Sequence, residues 1–391
     1  MNNYIPIKEV IKSVSVTHKF NKPSLIFLNT SDIIGGKIIN KNYLPVSKLK
    51  GQAKKTIEKD DILFSEIRPK NRHFAYIDFE DTEDYVVSTK LMVLRKINQV
   101  VDNKYFYYFL TNDAMLKVLQ NRAENRICSF PQITFDLLSE YKIRIPDDIK
   151  DQKAIVNVLC SLDSKIELNN RINTELEQVA KILYDYWFVQ FDFPDKNGKP
   201  YKTNGGKMIW SKELKRDVPE GWGVERISDL LPVLTGKKDA NFATENGKYN
   251  FFTCAEEISM CDEFEFEGKA ILLAGNGNFN IKVYEGKFNA YQRTYVLIPY
   301  NDKYYTVVYL AVMDRIRSLT NGSRGSIVKF ITKGDIEDIT LVLPKTDFFD
   351  EYNQLNIITK KIELNLLENQ KLAELRDWLL PMLMNGQVTV K

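Results

Sequence analysis

The chain repeats itself. Lys165-Ile166-Glu167-Leu168-Asn169 returns letter for letter as Lys361-Ile362-Glu363-Leu364-Asn365, and the same offset of 196 positions also matches Asn173 to Asn369, Leu176 to Leu372 and Leu183 to Leu379. A period of half the chain implies two copies of one domain-plus-helix unit. Around the first copy, apolar residues fall at Ile155, Val158, Leu162, Ile172, Leu176, Val179, Leu183 and Tyr186, steps that keep one seam facing one way on a helix. The spacing predicts a helix from about Asp148 to Trp187, on the order of 55–60 Å long at about 1.5 Å per residue. A helix of that length needs a partner, and the second copy, about Phe349 to Asn385, is the obvious one. Asn169 and Asn365 both fall at the core-type position of the seam, where a polar residue lowers stability but penalises the wrong register. The plainer alternative is that each helix packs on its own domain.

With 391 residues, 44% hydrophobic and 12% aromatic, the chain is long and apolar enough for two or three real cores. No run of about 18 apolar residues exists and Met1-Asn2-Asn3-Tyr4 begins no signal peptide, which predicts a cytoplasmic protein with no membrane segment. Cys128, Cys160, Cys254 and Cys261 lack CxxC spacing, and His18 and His73 stand far apart, so reduced thiols and no metal site are expected. The net charge of +3 is unevenly spread: +5 over residues 1–149, −1 over 150–191, +3 over 192–217, −3 over 218–348 and −1 over 349–391. Basicity is concentrated in the first domain and the central linker. If both repeats bind phosphates, the second must do so with a local patch rather than its overall field.

The first domain reads as short strands and turns: Leu25–Leu28, Asp60–Phe64, Tyr85–Arg95 and Tyr141–Pro146, with an amphipathic helix over Tyr105–Asn121. Pro69 stops regular pairing and leaves a surface loop carrying Arg68, Lys70 and Arg72. The second half repeats the order with Gly268–Leu273, the turn Ala274–Gly277, Tyr295–Ile298, a helix over Tyr304–Leu319 and a strand over Ile339–Pro344. The predicted class is α+β: two mixed α/β domains (1–147 and 218–347) separated by two long antiparallel helices (148–190, and 348–391 with the tail), with a linker over 191–217. Connectivity makes the helices antiparallel with one domain near each end, a pseudo-two-fold repeat. Two similar but non-identical domains suit the reading of two different half-sites, and interrupted, asymmetric DNA is the natural ligand.

The chain resembles the specificity subunit of Type I restriction-modification enzymes along nearly its whole length. The resemblance is carried by Phe27-Leu28-Asn29-Thr30-Ser31-Asp32-Ile33, Leu162–Asn170, Trp187-Phe188, Pro219-Glu220-Gly221-Trp222, Gly247–Cys254 and Leu379–Gly386. It implies two target-recognition domains that read double-stranded DNA. It also implies helices that dock two modification (methyltransferase) subunits, with restriction (translocase and nuclease) subunits completing the enzyme. The helix–helix and partner interface is then expected at Leu162, Ile166, Asn169, Leu176, Ile358, Ile362, Asn365 and Leu372. The first half lacks a counterpart of Pro219-Glu220-Gly221-Trp222, which puts its opening strand in question.

The chain carries no NPPY or DPPY motif and no GK[ST] phosphate loop, and Gly275-Asn276-Gly277-Asn278 lacks the third glycine of a nucleotide loop. S-adenosylmethionine, ATP and Mg²⁺ are therefore assigned to partner subunits, and no catalytic residue to this one. The candidate DNA contacts are Arg68, Lys70, Arg72 and Arg126 in the first domain and Lys237, Lys238, Arg293 and Arg324 in the second, all in turn-like or glycine-flanked positions. Arginine pairs bidentately with guanine edges, whereas lysine mostly meets phosphate. Tyr291 and Gln292 are weaker candidates. Two other readings remain: a stand-alone metal-dependent nuclease using Asp61 and Glu66, or a coiled-coil protein-interaction scaffold favoured by the −3 charge of the second domain.

Overall fold

The computed structural model describes residues 3–49, 51–125, 131–146, 148–245, 247–321, 330–345 and 349–390. They fall into two compact units, Met1–Glu167 with Asn369–Lys391, and Leu168–Glu368.

In the first unit, an antiparallel sheet runs in the order Ile11–Val14, Leu91–Lys96, Ile62–Ser65, Phe74–Tyr76. Its central strands are continuous apolar runs because both faces are covered. Ile62, Phe64, Met92 and Leu94 meet Tyr105, Phe106 and Leu119 of the helical layer. Leu63, Leu91 and Val93 instead meet Ile26, Leu28 and Val87 of a second sheet. That sheet orders Tyr43–Pro45, Ser24–Leu28, Tyr85–Ser88 and Ala53–Lys55, with Tyr85–Ser88 parallel to Ser24–Leu28. The single strand expected over Tyr85–Arg95 is therefore two, because the chain changes sheets at Thr89-Lys90. Lys55 holds the crossing by donating its ammonium to the carbonyls of Thr89 and Leu91 at 3.2 and 2.8 Å, and burial lowers its pKa. The expected Tyr105–Asn121 helix is also two, Asn103–Thr111 and Asp113–Glu124. Asn112 ends the first and caps the second, its side-chain oxygen accepting the Met115 N–H at 2.8 Å.

The second unit reuses the scaffold. Val233–Thr235, Thr294–Leu297, Phe266–Ala274 and Ile281–Ala290 follow the same antiparallel order, then Tyr249–Phe252 adds in parallel and Ser259–Cys261 closes the edge. Trp222–Arg226 pairs antiparallel with Thr340–Pro344, as Asn3–Pro6 does with Lys142–Ile145. The first domain thus has its opening strand without the Pro-Glu-Gly-Trp motif.

The first long helix spans Ile149–Tyr184 and ends in a wider turn, Asp185–Val189; the second spans Phe349–Asn385 and contains Pro381. Asp185 and Pro381 are one repeat apart, so both helices disturb their hydrogen-bond ladder at the same place. The second helix closes on Gly386 in the left-handed region (φ +69°), where a Cβ would lie 2.3 Å from the Arg144 guanidinium.

Each helix packs at its start on the domain it follows, at its far end on the core of the other domain, and along its length on the other helix. In the first unit Ile155, Val156 and Leu159 share a core with Leu380, Leu383 and Met384, and Arg376 donates to Asp163 at 2.7 Å. In the second, Asn169 donates to Glu368 at 2.8 Å and Asn365 to the Asn173 side-chain oxygen at 2.7 Å, while the Phe188 and Tyr352 rings lie 5.7 Å apart. Within each unit the number rises on one helix as it falls on the other, so the pair is antiparallel. Val179, read in sequence as part of the seam, is instead 46% exposed. A straight 3.6-residue helix drifts off a 3.5-residue seam, and by this point Ala180, Tyr184 and Trp187 have taken the inward positions.

Asn365→Leu should cost about 1–3 kcal/mol in urea unfolding, because it strands the side-chain oxygen of the buried Asn173. Adding Asn173→Leu should recover most of that loss; a double variant as unstable as the single one would show that the amide pair does not set the cost.

Candidate nucleic-acid interface

In the first unit, the loop after Ile62–Ser65 is pinned at both ends by backbone. The Arg68 N–H donates to the Pro131 carbonyl at 3.0 Å, the Ile133 N–H to Glu66 at 2.8 Å, and Ile67 bridges Gln132. The loop tip is a tight turn, Pro69–Asn71, flanked by Arg68 and Arg72, both left-handed at φ +48° and +56°. Arginine does not favour that region, and each such position stores about 1–2 kcal/mol. The turn points three cations outward. Arg72 pairs with Asp113 and lies 5.9 Å from the Phe74 ring, Lys70 stands 3.9 Å from Glu124, and the exposed Arg68 guanidinium has no side-chain partner among the described residues.

The second unit builds the matching position differently. Gly275 receives the Ile331 N–H on its carbonyl and donates to the Arg293 carbonyl, both at 2.8 Å, and Asn276 bridges Phe330. A Cβ at Gly275 would stand 2.7 Å from the Arg293 oxygen, which explains the glycine. The structure also brings Lys237 and Lys238 to the Tyr291–Arg293 segment: Lys238 bridges Tyr291 and its carbonyl accepts the Gln292 N–H at 3.0 Å. Lys237 pairs with Glu265, Lys238 stands 3.6 Å from Glu263 and 4.3 Å from the Phe242 ring, and Arg293 is exposed with no acid partner among the described residues. Arg126 and Arg324 lie outside the described residues.

Four of the six described candidates thus sit in surface ion pairs. Such pairs are worth little, so they do little to hold these cations in place. Asp61 and Glu66, the nuclease candidates, do not converge: buried Asp61 takes a bidentate contact from Arg95 at 2.7 and 2.8 Å, and Glu66 accepts from Gln132 at 2.8 Å. Among the described residues no group of three or more His, Cys, Asp or Glu could hold a metal ion, and no helix is long and apolar enough to cross a membrane.

Of the expected helix-interface residues, Asn169, Ile362 and Asn365 are buried and Leu162, Ile166, Leu176, Ile358 and Leu372 half-buried. A second helix face went unnoticed in the sequence. Val179 and Ile182 are 46% and 65% exposed, and their repeat equivalents Leu375 and Trp378 are 42% and 62% exposed. The signal was the offset of 196 itself, which maps 179 onto 375 and 182 onto 378.

Duplicated α/β domains, each with a backbone-pinned loop at the same position of a like sheet, exposed cations on or beside that loop, and a long helix joined to it, fit an internally duplicated DNA-binding protein. The family model for the Type I restriction modification DNA specificity domain matches residues 3–178 and 219–376. The chain belongs to that family, as its DNA-recognition subunit. It is similar to the Type I restriction enzyme HindI specificity subunit of Haemophilus influenzae, 26% identical over 97% of this chain and 98% of that one. It is also similar to the EcoDI specificity subunit of Escherichia coli, 38% identical over 44% and 40% of the two chains. The S subunit of a Type I restriction-modification system from M. genitalium has the same fold, with a TM-score of 0.52 and 16% identity over 98% of this chain and 96% of that one.

Arg68→Gly should unfold at the same temperature as the parent or slightly above it, whereas Arg68→Val should lose about 1–2 kcal/mol or more, since a β-branched residue resists positive φ. Equal stability of the two variants in thermal unfolding would show the turn to be unstrained.

Proposed function

We propose that each domain reads one half of a bipartite, asymmetric DNA site, and that the long helices dock two modification (methyltransferase) subunits. The carrying observation is a shared scaffold with unlike tips. The Ile67–Gln132 and Asn276–Phe330 bridges occupy the same place after the same strand, yet one loop presents Arg68, Lys70 and Arg72 and the other Asn276, Gly277 and Asn278. Equivalent positions with different hydrogen-bonding groups suit different base edges. Arg68 and Arg293, unencumbered by acids, are the primary base-reading candidates. Lys70, Arg72, Lys237 and Lys238 are assigned to phosphate, with Arg126 and Arg324 as further contacts.

Partner docking rests on the exposed pairs Val179/Ile182 and Leu375/Trp378. Exposed apolar pairs that recur at repeat-related positions suit one partner surface met twice. Methyl transfer, ATP use and cleavage, with S-adenosylmethionine and Mg²⁺, are assigned to modification and restriction subunits, and the site of action to the cytoplasm.

Genome-wide adenine methylation, compared with and without this gene, should lose one interrupted motif, and exchanging domain two should change one half of that motif only. A motif unaltered by the exchange would sink the reading. Arg68→Ala in the assembled complex should weaken target binding by about 1–3 kcal/mol, the worth of one bidentate base contact, with less effect on non-target DNA. Leu375→Ser with Trp378→Ser should leave a complex holding one modification subunit by light scattering, and adding Val179→Ser with Ile182→Ser should leave none.

A further inference from the structure

Residues 192–217 lie between the two stretches that the family model matches. They are built, not slack. Pro194 bridges Pro200, and the turn between them is closed by the Asp195 carboxylate, which accepts the N–H groups of Asn197 and Lys199 at 2.8 and 2.9 Å. Gly206 lies flat on Tyr201, where a Cβ would approach the ring to 2.4 Å. Met208–Ser211 then pairs antiparallel with Arg216–Pro219. The segment is fastened to domain two: Phe193 stacks on Tyr201 and Trp222 at 4.6 and 4.7 Å, and Met208, Leu214 and Val218 join that domain's core.

The segment presents Lys196 and Lys199 on the Asp195 turn, Lys202 on the turn that follows Pro200, and Lys212 and Lys215 on the hairpin turn, all exposed and none with an acid partner among the described residues. Lys207 is paired, with Glu220 at 2.5 Å. Two of the segment's four acids are half-buried and taken up by local hydrogen bonds, Asp195 in its turn and Asp192 with Thr203 at 2.7 Å. The segment carries +3 and is packed on a domain that carries −3, whereas domain one has its own +5. A domain with a net negative charge meets a polyanion unfavourably unless a local cation cluster offsets that field.

We propose that this excursion grips the sugar-phosphate backbone of duplex DNA beside the half-site read by domain two, supplying the positive field that domain lacks. The proposal rests on the DNA-reading role above. Its contacts are to phosphate, so they add affinity for any sequence and leave the recognised motif unchanged.

The test uses the complex assembled with its modification subunits, with Lys196, Lys199, Lys202 and Lys212 changed together to Gln and, separately, to Glu. The logarithm of affinity is measured against the logarithm of salt concentration, on target and non-target duplexes. The slope should shrink by about 0.9 for each phosphate that the variant no longer neutralises. Affinity should fall by the same factor on both duplexes, more for Glu than for Gln, with the methylated motif intact. Trp210→Ala, which removes an exposed ring from the same hairpin without touching charge, should leave the slope unaltered. An unchanged slope in both lysine variants overturns the proposal, and if those variants also bind fewer modification subunits, the patch is a protein contact. Absence of salt-dependent DNA binding by the unsubstituted complex would instead overturn the DNA-reading role itself.

Discussion

The structure depends on a helix seam that is apolar where each helix meets a domain and polar between. The buried positions recur at the repeat offset: Val156 with Tyr352, Leu159 with Leu355, Tyr184 with Leu380, and Trp187 with Leu383. Each large apolar side chain withdrawn from water contributes about 1.5–3 kcal/mol, which makes these ends the main source of attachment. Burial alone is indifferent to a slip of one heptad. The Asn169–Glu368 and Asn173–Asn365 contacts are not, because a slipped helix would break both hydrogen bonds of these buried asparagines. Attachment and register are therefore set by different residues of the same helices.

That division frees the domains to diverge. The four-stranded antiparallel sheet, the strand pair that opens and closes each domain, and the backbone bridge in the loop that follows Ile62–Ser65 or Phe266–Ala274 are kept in both units. What differs is how each loop reaches its shape. Domain one forces Arg68 and Arg72 into the left-handed region, while domain two uses Gly277 and Phe279 there and needs glycine at 275 for clearance. A loop anchored by backbone hydrogen bonds from a fixed sheet tolerates exchanges wherever clearance and backbone conformation allow, since its anchoring does not depend on its side chains. The same scaffold can then carry arginines in one copy and asparagines in the other.

The long helices were legible nearly to the residue because a repeated motif and a sustained seam both reported on them, and the second helix spans Phe349–Asn385 as the pattern implied. Where a local pattern had to stand alone it misled. Tyr85–Arg95 looks like one strand because both halves are apolar, and nothing nearby in sequence shows that Lys55 holds a crossing between sheets. The Asn112 break hides inside a continuous helical pattern, since a residue that both ends one helix and caps the next differs by a single side chain from one that does neither. The basic loop residues could be named from turn chemistry, but their partners could not. Asp113, Glu124, Glu263 and Glu265 come from other elements, so the separation of free from paired cations is a tertiary fact.

The repeat is broken at positions that decide which helix pairs with which. In the first unit Asp163 receives Arg376 at 2.7 Å and the Tyr108 hydroxyl at 2.6 Å. One repeat on, position 163 becomes Thr359, which meets Thr306 at 2.8 Å, and position 376 goes back to the buried Ala180. A first-copy helix paired with another first-copy helix would set Asp163 against Ala180 and Asn169 against Ile172. Two second-copy helices would set Arg376 against Thr359. Either self-pairing keeps the apolar ends and forfeits the ion pair, leaving a half-buried charge without its partner. The unlike pair satisfies both, and within one chain that pair is also held at high effective concentration. The duplication thus supplies matching surfaces, and a few departures from it ensure that they are used on each other.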